Sequence, residues 1–443
     1  TLERGWLTIS NSTKRRMKSR GETTKRGRTP LGDKGLGRLG AQRLGDRIEI
    51  VTSTGDGFTH RMEFDWRHFT NRDSLREVPV SISSVKDGRR KSGTTLVISA
   101  LHDADLLQDR ARIQTEMSRT LSPYREIEKF RVYLSINGEQ IDLSAIDKRV
   151  RDASTIRYTL SFDGEVLKVR GLMRLAQLRP NSKEDRTLWA RIAEADGGEG
   201  LHAFLSAQPE ASRWKLRPSR AKRWWVEFNF TIELSDVRPR LDAAGAIANP
   251  GPFTAEIDSF NLSAGSVEEV GVFDRATDLR KMLSDLHGIR IYRDGFNVRA
   301  PDDWLGLGKQ ITSGGSWYGL RPGTTMGYVA ISAGANQQLT ETTDREGFIR
   351  TAAYDSFEAL LRQFVVMAAG VQEFVGRGAS DFKKKFDVPD DTANQKPDVL
   401  LAELTTTLGE AQSYVTPLRT ISEQLSAGAV EADSVLQRYA DSS

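Results

Sequence analysis

The chain of 443 residues contains no cysteine. This absence excludes disulfide bonds, thiolate zinc sites and cysteine nucleophiles from its chemistry, and it fits a reducing compartment. Histidine is also scarce: the five histidines are scattered, and His60 and His68 are too far apart for the paired ligands of a helical zinc motif. We therefore predict no metal cluster of histidine or cysteine.

Long apolar runs are missing as well. No stretch is long enough to span a bilayer, and the first residues lack the pattern of a secretory signal. Charged residues make up 28% of the chain and hydrophobic residues 38%, and the length suffices for two or three domains with a sizeable core. We therefore expect a cytoplasmic protein that does not enter a membrane.

Positive charge is concentrated near the start of the chain. Residues 1–50 contain 13 Lys and Arg against five Asp and Glu, whereas the whole chain carries a net charge of +4. The remainder is therefore net negative. The excess of cations over residues 14–28 favours either a solvated lid beside a bound polyphosphate or a contact with nucleic acid.

A glycine-dense segment follows these cations. Four of the nine residues 32–40 are glycine, and a short helix over residues 39–44 and a strand over residues 47–51 are predicted next. Such loops let the backbone approach a ligand closely and direct N–H groups at an anion, typically a phosphate. An ordinary glycine-rich turn is the structural alternative.

Alternating apolar residues and turn signals predict an α+β protein. Strands are expected over residues 47–52, 59–66, 78–85 and 95–99, and we expect them to form an antiparallel sheet. A helix is predicted over residues 103–129. Further strands and hairpins are predicted over residues 130–136, 155–169, 224–234, 287–299 and 326–331, with a helix over residues 274–285.

The C-terminal part, from Tyr354 onward, is predicted to be mostly helical. Apolar residues between Leu401 and Leu425 recur mainly at steps of three and four, as in a heptad seam, although Pro417 interrupts the pattern. A dimer-forming coiled coil and a helix packed on its own domain both remain open. Residues 386–396 are predicted to be a linker.

Three separated segments occur in the order of one known superfamily. They are residues 6–14 with the glycine segment, residues 92–98 with a Gly-Thr pair that opens a strand, and residues 342–349. In this order and at these separations they resemble the GHKL ATPases, which include gyrase B, MutL, histidine kinases and a bacterial heat-shock chaperone. Residues 288–296, 303–305 and 327–332 resemble, more narrowly, a group of bacterial chaperone-like ATP-binding proteins. The resemblance covers about residues 1–355.

The resemblance implies a three-part α+β architecture. Residues 1–105 would form the C-terminal part of a GHKL α/β sandwich that binds ATP, with its lid, glycine loop and sheet. Residues 106–355 would form a transducer domain with a ribosomal-protein-like fold. Residues 356–443 would form a helical region outside the resemblance.

The resemblance also implies ATP and Mg²⁺ as cofactors and assigns roles to matching residues. Ser12 and Lys14 match the start of the ATP lid, and Thr94 matches a threonine that supports the adenine pocket. Arg345 matches a transducer residue that reaches the γ-phosphate and acts in catalysis, although a salt bridge with a neighbouring carboxylate at a turn is the alternative. The residues expected beside the phosphates are Lys34, Gly35, Leu36, Gly37, Arg38, Leu39 and Gly40.

The chain also departs from the family pattern. The general-base glutamate, the magnesium-binding asparagine and the first Asp-x-Gly-x-Gly turn are not seen, because Thr1 begins in the middle of the pattern. Asp33 opens a similar turn but follows the lid-like stretch, so we interpret it as a loop residue. Either an upstream segment supplies the general base, or the protein is a degenerate form without turnover; we favour the first.

A second basic cluster surrounds three tryptophans, Trp214, Trp224 and Trp225. Interleaved aromatics and cations can bind nucleic acid by stacking and charge, and they equally form cation–π packing at a strand edge. The cations are Arg213, Lys215, Arg217, Arg220, Lys222 and Arg223.

These observations favour a nucleotide-gated dimeric clamp that binds and hydrolyses ATP. Family habit suggests a chaperone-like role in antiviral defence, with a homodimer, partner proteins of a defence system, and DNA or RNA as expected partners. The alternatives are a catalytically inactive nucleotide-sensing scaffold and a nucleic-acid-binding module.

Overall fold

The computed structural model describes residues 14, 16, 17, 20, 22, 23, 37–69, 80–87, 91–103, 105, 108–120, 132–141, 145–298, 300, 303–308, 318–342 and 347–386. The chain forms two compact units, Thr1–Ser380 and Asp381–Ser443. Residues 381–386 are the described part of the second unit, and they include the end of a long helix.

Four antiparallel strands form a sheet near the start of the chain, here called the small sheet. Its strand order is β3-β2-β1-β4. One face buries Ala41, Ile48, Ile50, Met62 and Phe64 in a compact apolar cluster. The strands are β1 (Gly45–Ser53), β2 (Phe58–Asp65), β3 (Ser81–Lys86) and β4 (Gly93–Leu101).

Eight strands form the large sheet, in the order β13-β12-β14-β11-β7-β8-β10-β9. Its neighbours are antiparallel except β12 and β14, which run parallel. A separate hairpin pairs β5 (Leu134–Ile136) with β6 (Glu139–Ile141). The strands of the large sheet are β7 (Ile156–Phe162), β8 (Val166–Met173), β9 (Arg217–Pro218), β10 (Val226–Glu233), β11 (Phe253–Ser259), β12 (Gly288–Arg293), β13 (Phe296–Val298) and β14 (Thr325–Ile331).

The helices are unequal in length. The α-helices are α1 (Arg110–Thr120), α2 (Ala145–Asp152), α3 (Lys183–Trp189), α4 (Glu199–Ser206), α5 (Ala211–Trp214), α6 (Ala264–Val270), α7 (Ala276–Leu286) and α8 (Ala352–Lys384). A π-helical segment, Ala190–Glu194, continues α3. The 3-10 helices are Gly37–Arg43, Trp66–Phe69, Leu175–Leu178, Leu234–Val237 and Pro322–Thr324.

The main core lies between the large sheet and α8. Tyr158 of β7 meets Phe364 edge to face with 5.3 Å between ring centroids, and Phe253 of β11 meets Phe357 at 5.1 Å. The buried Gln372 side chain donates a 2.9 Å hydrogen bond to the Tyr158 hydroxyl. Because every one of these side chains is buried, α8 is an integral layer of this domain.

The opposite face of the large sheet carries paired charges. Asp258 of β11 is buried and lies opposite Arg157 of β7. Its carboxylate accepts hydrogen bonds from Nε of Arg157 at 2.7 Å and Nε of Arg151 at 3.1 Å. Arg151 also pairs with Glu256, which is partly exposed. The sheet therefore buries one carboxylate between two guanidinium groups, which its charge requires.

A second carboxylate on this face, that of Glu227, is also held by arginines. It accepts hydrogen bonds from Arg170 at 2.7 Å, from Arg217, and from Asn229 at 3.2 Å. The Arg170 hydrogen bond is the largest influence and, with those from Arg217 and Asn229, outweighs burial and lowers the pKa of Glu227 from 4.5 to about 2.

This pKa shift predicts an acid-sensitive contribution to stability. A carboxyl group whose pKa is lower in the folded state stabilises the fold above its unfolded pKa and loses that effect as pH falls to its folded pKa. We expect the stability difference between the wild type and Glu227→Gln to be constant above pH 5 and to shrink between about pH 4.5 and 2. Urea unfolding across this range measures it, with Glu233→Gln on the same strand as the control. A difference that does not change with pH would contradict the prediction.

Most sequence-based predictions of strands are confirmed, and the α+β class with mainly antiparallel sheets is confirmed as well. The predicted hairpins form at Asn137-Gly138 and Asp294-Gly295, where both residues of each pair have positive φ, as a tight hairpin turn requires. The hairpin of β7 and β8 also forms, and β8 extends four residues beyond its predicted end at residue 169.

Three predicted elements differ from the structure. The helix expected over residues 39–44 is a seven-residue 3-10 helix, too short for a substantial helix dipole. Within the described residues, the helix expected over residues 103–129 is confined to Arg110–Thr120. The strand expected over residues 130–136 begins only at Leu134, because its pairing with β6 is three residues long.

The predicted division of the chain at residues 105 and 355 stays a prediction. α8 begins at Ala352 and continues past residue 355. The heptad seam over residues 401–425 and nearly all of the predicted linker lie outside the described residues. No helix in the described part of the chain is both long enough and apolar enough to cross a membrane.

Candidate functional site

A row of four polar side chains crosses the small sheet from edge to edge. The strand register places Thr94, Thr52, His60 and Ser84 side by side on β4, β1, β2 and β3. The hydroxyls of Thr52 and Thr94 are 2.8 Å apart, and Nδ1 of His60 is 2.7 Å from the Ser84 hydroxyl. We call these four residues the polar row. The polar row offers several hydrogen-bonding groups in one line. Its two outer residues, Thr94 and Ser84, are exposed, and the two central ones are partly buried.

An apolar surface adjoins the polar row on the same face. Alternation along each strand puts Leu96, Ile50, Met62 and Ile82 in the next row. The two central members are buried, but Leu96 is 43% exposed and Ile82 is 44% exposed. The accessible apolar side chains, Leu96 and Ile82, therefore stand on the two edge strands beside hydrogen-bonding groups. Such a combination suits an aromatic, polar-edged ligand such as a nucleobase.

The end of the glycine segment lies over this face. Ala41, in the 3-10 helix Gly37–Arg43, belongs to the same buried cluster as Ile48 and Ile50 of β1. The chain therefore reverses direction just before β1 and folds back over the sheet. Gly40 is exposed, and a Cβ added there would meet nothing within 4 Å. The backbone at this end of the glycine segment is thus open to a ligand.

Some of the sequence-predicted site residues are among the described residues and others are not. Gly37, Arg38, Leu39 and Gly40 lie in the 3-10 helix, and Thr94 lies in β4. Lys14 is helical and exposed. The remaining site residues, Ser12, Lys34, Gly35, Leu36 and Arg345, lie outside the described residues.

The chain on either side of Arg345 is a firmly held hairpin base. Glu341 and Phe348 form an antiparallel bridge, and the Thr342 amide donates to the Gly347 carbonyl at 3.0 Å. Arg293, at the end of β12, forms a 3.2 Å ion pair with Glu341 and lies 5.6 Å from the centroid of the Phe348 ring. It also donates to main-chain carbonyls of the preceding turn. The described residues on both sides of this segment, 341–342 and 347–348, are therefore anchored.

This hairpin base connects directly to α8. Phe348 stacks on Tyr354 with 5.5 Å between ring centroids, and the Tyr354 amide donates to the Thr351 hydroxyl at 3.2 Å, in the manner of a helix cap. These contacts join the hairpin base to the helix that packs on the large sheet.

No protein-family model matches the chain, and no curated protein matches it. The GHKL resemblance therefore stays a hypothesis carried by the motifs. Among the described residues, no group of three histidine, cysteine or carboxylate side chains is arranged to hold a metal ion.

The tryptophan cluster is not the stacking platform that the sequence allowed. Trp214 is buried and packs edge to face on Phe230 at 5.9 Å, and the Trp225 indole donates a 3.1 Å hydrogen bond to the Gly198 carbonyl. Trp224 has the guanidinium groups of Arg174 and Arg157 within 4.9 and 5.5 Å of its ring centroid. The cation–π alternative therefore describes Trp224 and also Trp214, which has Arg213 at 4.7 Å, whereas Trp225 is held by its hydrogen bond.

Sequence reasoning named Thr94 as a site residue but not the other three residues of the polar row. Thr52, His60 and Ser84 lie on strands that were predicted correctly, but only the pairing register aligns them with Thr94. A polar residue next to two apolar positions at alternate spacing, after them in β1 and β3 and before them in β2 and β4, is a signal that could have found them.

Proposed function

We propose that this protein binds ATP on the small sheet and uses the bound nucleotide to control a hairpin attached to the large sheet. The observation that carries the proposal is the polar row beside a partly exposed apolar surface, with the end of a glycine-rich segment folded over the same face. This combination of hydrogen-bonding edge, apolar platform and open backbone fits a nucleoside polyphosphate.

Each part of the site would contact a different part of the nucleotide. The hydroxyl of Thr94, oriented by Thr52, would hydrogen-bond with the polar edge of adenine. The glycine segment would supply main-chain N–H groups to the phosphates, with Lys34 and Arg38 as nearby cations. Lys14 and Ser12 would belong to the segment that covers the nucleotide. Mg²⁺, the usual companion of bound ATP, would neutralise part of the phosphate charge.

Arg345 would act from the hairpin between residues 342 and 347. A guanidinium group that reaches the terminal phosphate stabilises the charge that develops as this phosphate leaves. The anchored hairpin base supports this role, since Arg293 and α8 would carry the change in position to the large sheet. The resulting activity would be ATP hydrolysis of the GHKL type.

The proposal also includes the oligomeric state and the cellular role of the protein. A nucleotide-gated clamp works as a homodimer in the resembling families, and a cytoplasmic, chaperone-like role in antiviral defence would add partner proteins. A catalytically inactive nucleotide sensor is the rival closest to this proposal, because it would use the same polar row and hairpin without turnover.

The adenine contact can be tested by removing one hydroxyl. We expect Thr94→Val in the complete gene product to weaken ATP binding by about three- to tenfold, which corresponds to the loss of one neutral hydrogen bond. Thr94→Ser keeps the hydroxyl and is the matched control, with affinity close to that of the wild type. Isothermal titration with ATP measures both. Equal affinities for Val and Ser variants would remove Thr94 from the site.

The catalytic proposal is tested by measuring turnover in the same protein. We expect Arg345→Ala to lose most of the ATP hydrolysis while retaining most of the ATP affinity, because the guanidinium acts mainly on the transition state. A wild type that binds ATP without turnover would support the sensing scaffold. A wild type that does not bind ATP would overturn the proposed function.

A further inference from the structure

A strongly basic segment forms one edge of the large sheet. Residues 211–226 contain six Lys and Arg and no Asp or Glu, whereas the whole chain has a net charge of only +4. The segment runs from α5 through β9 into β10. Positive charge is therefore concentrated at this edge far above the average of the chain.

The cations at the tip of this segment have no carboxylate partners in the described structure. Arg220, Lys222 and Arg223 are exposed, and none of them forms an ion pair with a described residue. Such unpaired surface cations are free to meet an external anion. Arg217, by contrast, shares the buried Glu227 with Arg170.

Main-chain hydrogen bonds hold the tip of this segment in place. The Ser219 amide donates to the Trp225 carbonyl at 2.9 Å, which closes the connection between β9 and β10. The Trp225 amide donates to the Met173 carbonyl at 2.9 Å and so fixes the tip to β8. We call residues 219–225 the basic loop. Its cations are displayed on an ordered support, which limits the entropy lost on binding.

A buried arginine lies directly behind the basic loop. Arg174 is only 9% exposed; its Nη2 donates to the Asp152 carbonyl at 2.9 Å, and its Nε has no partner within the described residues. Burial is the main cause that lowers the pKa of Arg174; the nearby charges of Arg157 and Arg223 lower it further, whereas those of Asp152 and Asp258 act in the opposite direction. A buried guanidinium with one unpartnered donor and two neighbouring arginines would be stabilised by a further anion in addition to these carboxylates.

The chemistry of the surface narrows the class of anion. Guanidinium groups form a fork that matches phosphate oxygens, and four of the six cations in residues 211–226 are arginine. No large hydrophobic side chain of these residues is exposed, so insertion into a lipid surface has no support here. Trp214 is buried, and Trp224 and Trp225 are partly buried with contacts to Arg174 and to the Gly198 carbonyl, so stacking on unpaired bases has less support than contact with phosphates.

We infer that the basic loop, together with Arg174, binds the phosphodiester backbone of a nucleic acid duplex. The contacts are made to phosphates and not to bases, so the binding is independent of sequence and does not require strand separation. This inference goes beyond the proposed ATP site and does not depend on it, since the two surfaces lie on different sheets.

The test compares two triple variants of the complete protein. The loop variant carries Arg220→Gln, Lys222→Gln and Arg223→Gln. The control carries Lys183→Gln, Arg280→Gln and Lys281→Gln, which remove the same charge from exposed positions on α3 and α7. Binding of a labelled DNA duplex is measured by fluorescence anisotropy over a range of salt concentrations. Residues 1–50 also carry excess positive charge, which contributes to DNA binding equally in both variants. The difference between the two variants therefore isolates the contribution of the basic loop.

We expect the loop variant to bind more weakly, by about eightfold at about 0.1 M salt for each phosphate contact that is lost. The slope of log affinity against log salt falls by about 0.9 for each such contact. The control variant keeps the affinity and slope of the wild type. Equal losses in both variants would show a diffuse effect of net charge and would overturn the inference.

Two competitors distinguish the class of partner. Unlabelled duplex should displace the labelled duplex, whereas polyglutamate at equal charge and anionic phospholipid vesicles should not. Displacement by polyglutamate as effective as that by duplex would overturn the assignment to a phosphodiester backbone, and vesicle binding abolished in the loop variant would assign the surface to lipid.

Arg174→Lys tests the buried part of the site. Lysine keeps the charge but not the fork of donors, so we expect weaker duplex binding with a nearly unchanged salt slope. Far-UV circular dichroism checks that the variant is folded. Unchanged affinity in a folded Arg174→Lys protein would exclude Arg174 from the surface.

Discussion

Gly251→Ala is expected to lower the free energy of unfolding by about 2–5 kcal/mol. Gly251 has φ of +80°, a left-handed conformation that costs an L-residue about 1–2 kcal/mol. A Cβ at this position would also overlap the carbonyl oxygen of Ala335 and lie 3.0 Å from Nδ2 of Asn336. Overpacking against main chain adds about 1–3 kcal/mol, because the backbone cannot move aside as a flexible side chain can.

The chain offers a matched control for this effect. Gly245 has nearly the same φ, +77°, but a Cβ there would meet nothing within 4 Å. Gly245→Ala should therefore show the conformational cost alone, about 1–2 kcal/mol. Urea unfolding of both variants separates conformation from crowding. Equal losses of stability would show that the contact with Ala335 is relieved without cost.

The Gly251 prediction also bears on function. The fully buried Asn336 donates hydrogen bonds to the carbonyls of Pro250 and Pro252 at 2.8 and 3.0 Å, so it holds the turn that contains Gly251. The Asn336 carbonyl in turn accepts from Arg293, which anchors the hairpin on either side of Arg345. Gly251→Ala should therefore disturb the hairpin base formed by Glu341 and Phe348 as well as the turn itself.

Asp258→Ala is expected to cost about 3–5 kcal/mol of stability. The carboxylate is buried between Arg151 and Arg157, and removing it leaves two guanidinium groups without their buried counter-charge. Because Arg157 lies against the Trp224 ring, tryptophan fluorescence should report the change locally. The measurement is the urea midpoint followed by fluorescence.

Glu256→Ala is the matched control for Asp258→Ala. It removes a carboxylate from the same strand and from the same partner, Arg151, but the Glu256 side chain is 32% exposed, so its pair should contribute less than about 1 kcal/mol. A loss for Glu256→Ala as large as that for Asp258→Ala would contradict the view that burial decides the value of these pairs.

Several elements were predictable from local sequence alone. The hairpins at Asn137-Gly138 and Asp294-Gly295 form where the sequence places residues that tolerate positive φ. The strands of the small sheet were predicted within a few residues of their ends, because alternation of side chains is a property of consecutive positions.

The strand β11 was not predicted from the local sequence. It spans Phe253–Ser259, lies in the middle of the large sheet and includes the charged residues Glu256 and Asp258. Its other face buries Phe253, Ala255 and Ile257, and its carboxylates are paired with Arg151 and Arg157, about a hundred residues earlier. No window of sequence contains both partners.

By itself, then, the sequence determined the α+β class, most strands, the turns between them and the motifs on which the ATP hypothesis rests, because these depend on neighbouring residues. Only the tertiary structure decided that Thr94 lies in a row with Thr52, His60 and Ser84, and that Trp214 and Trp225 are held by the protein while Arg220, Lys222 and Arg223 remain exposed. The physical reason is that strand register, burial and charge pairing are set by contacts between residues far apart in the chain.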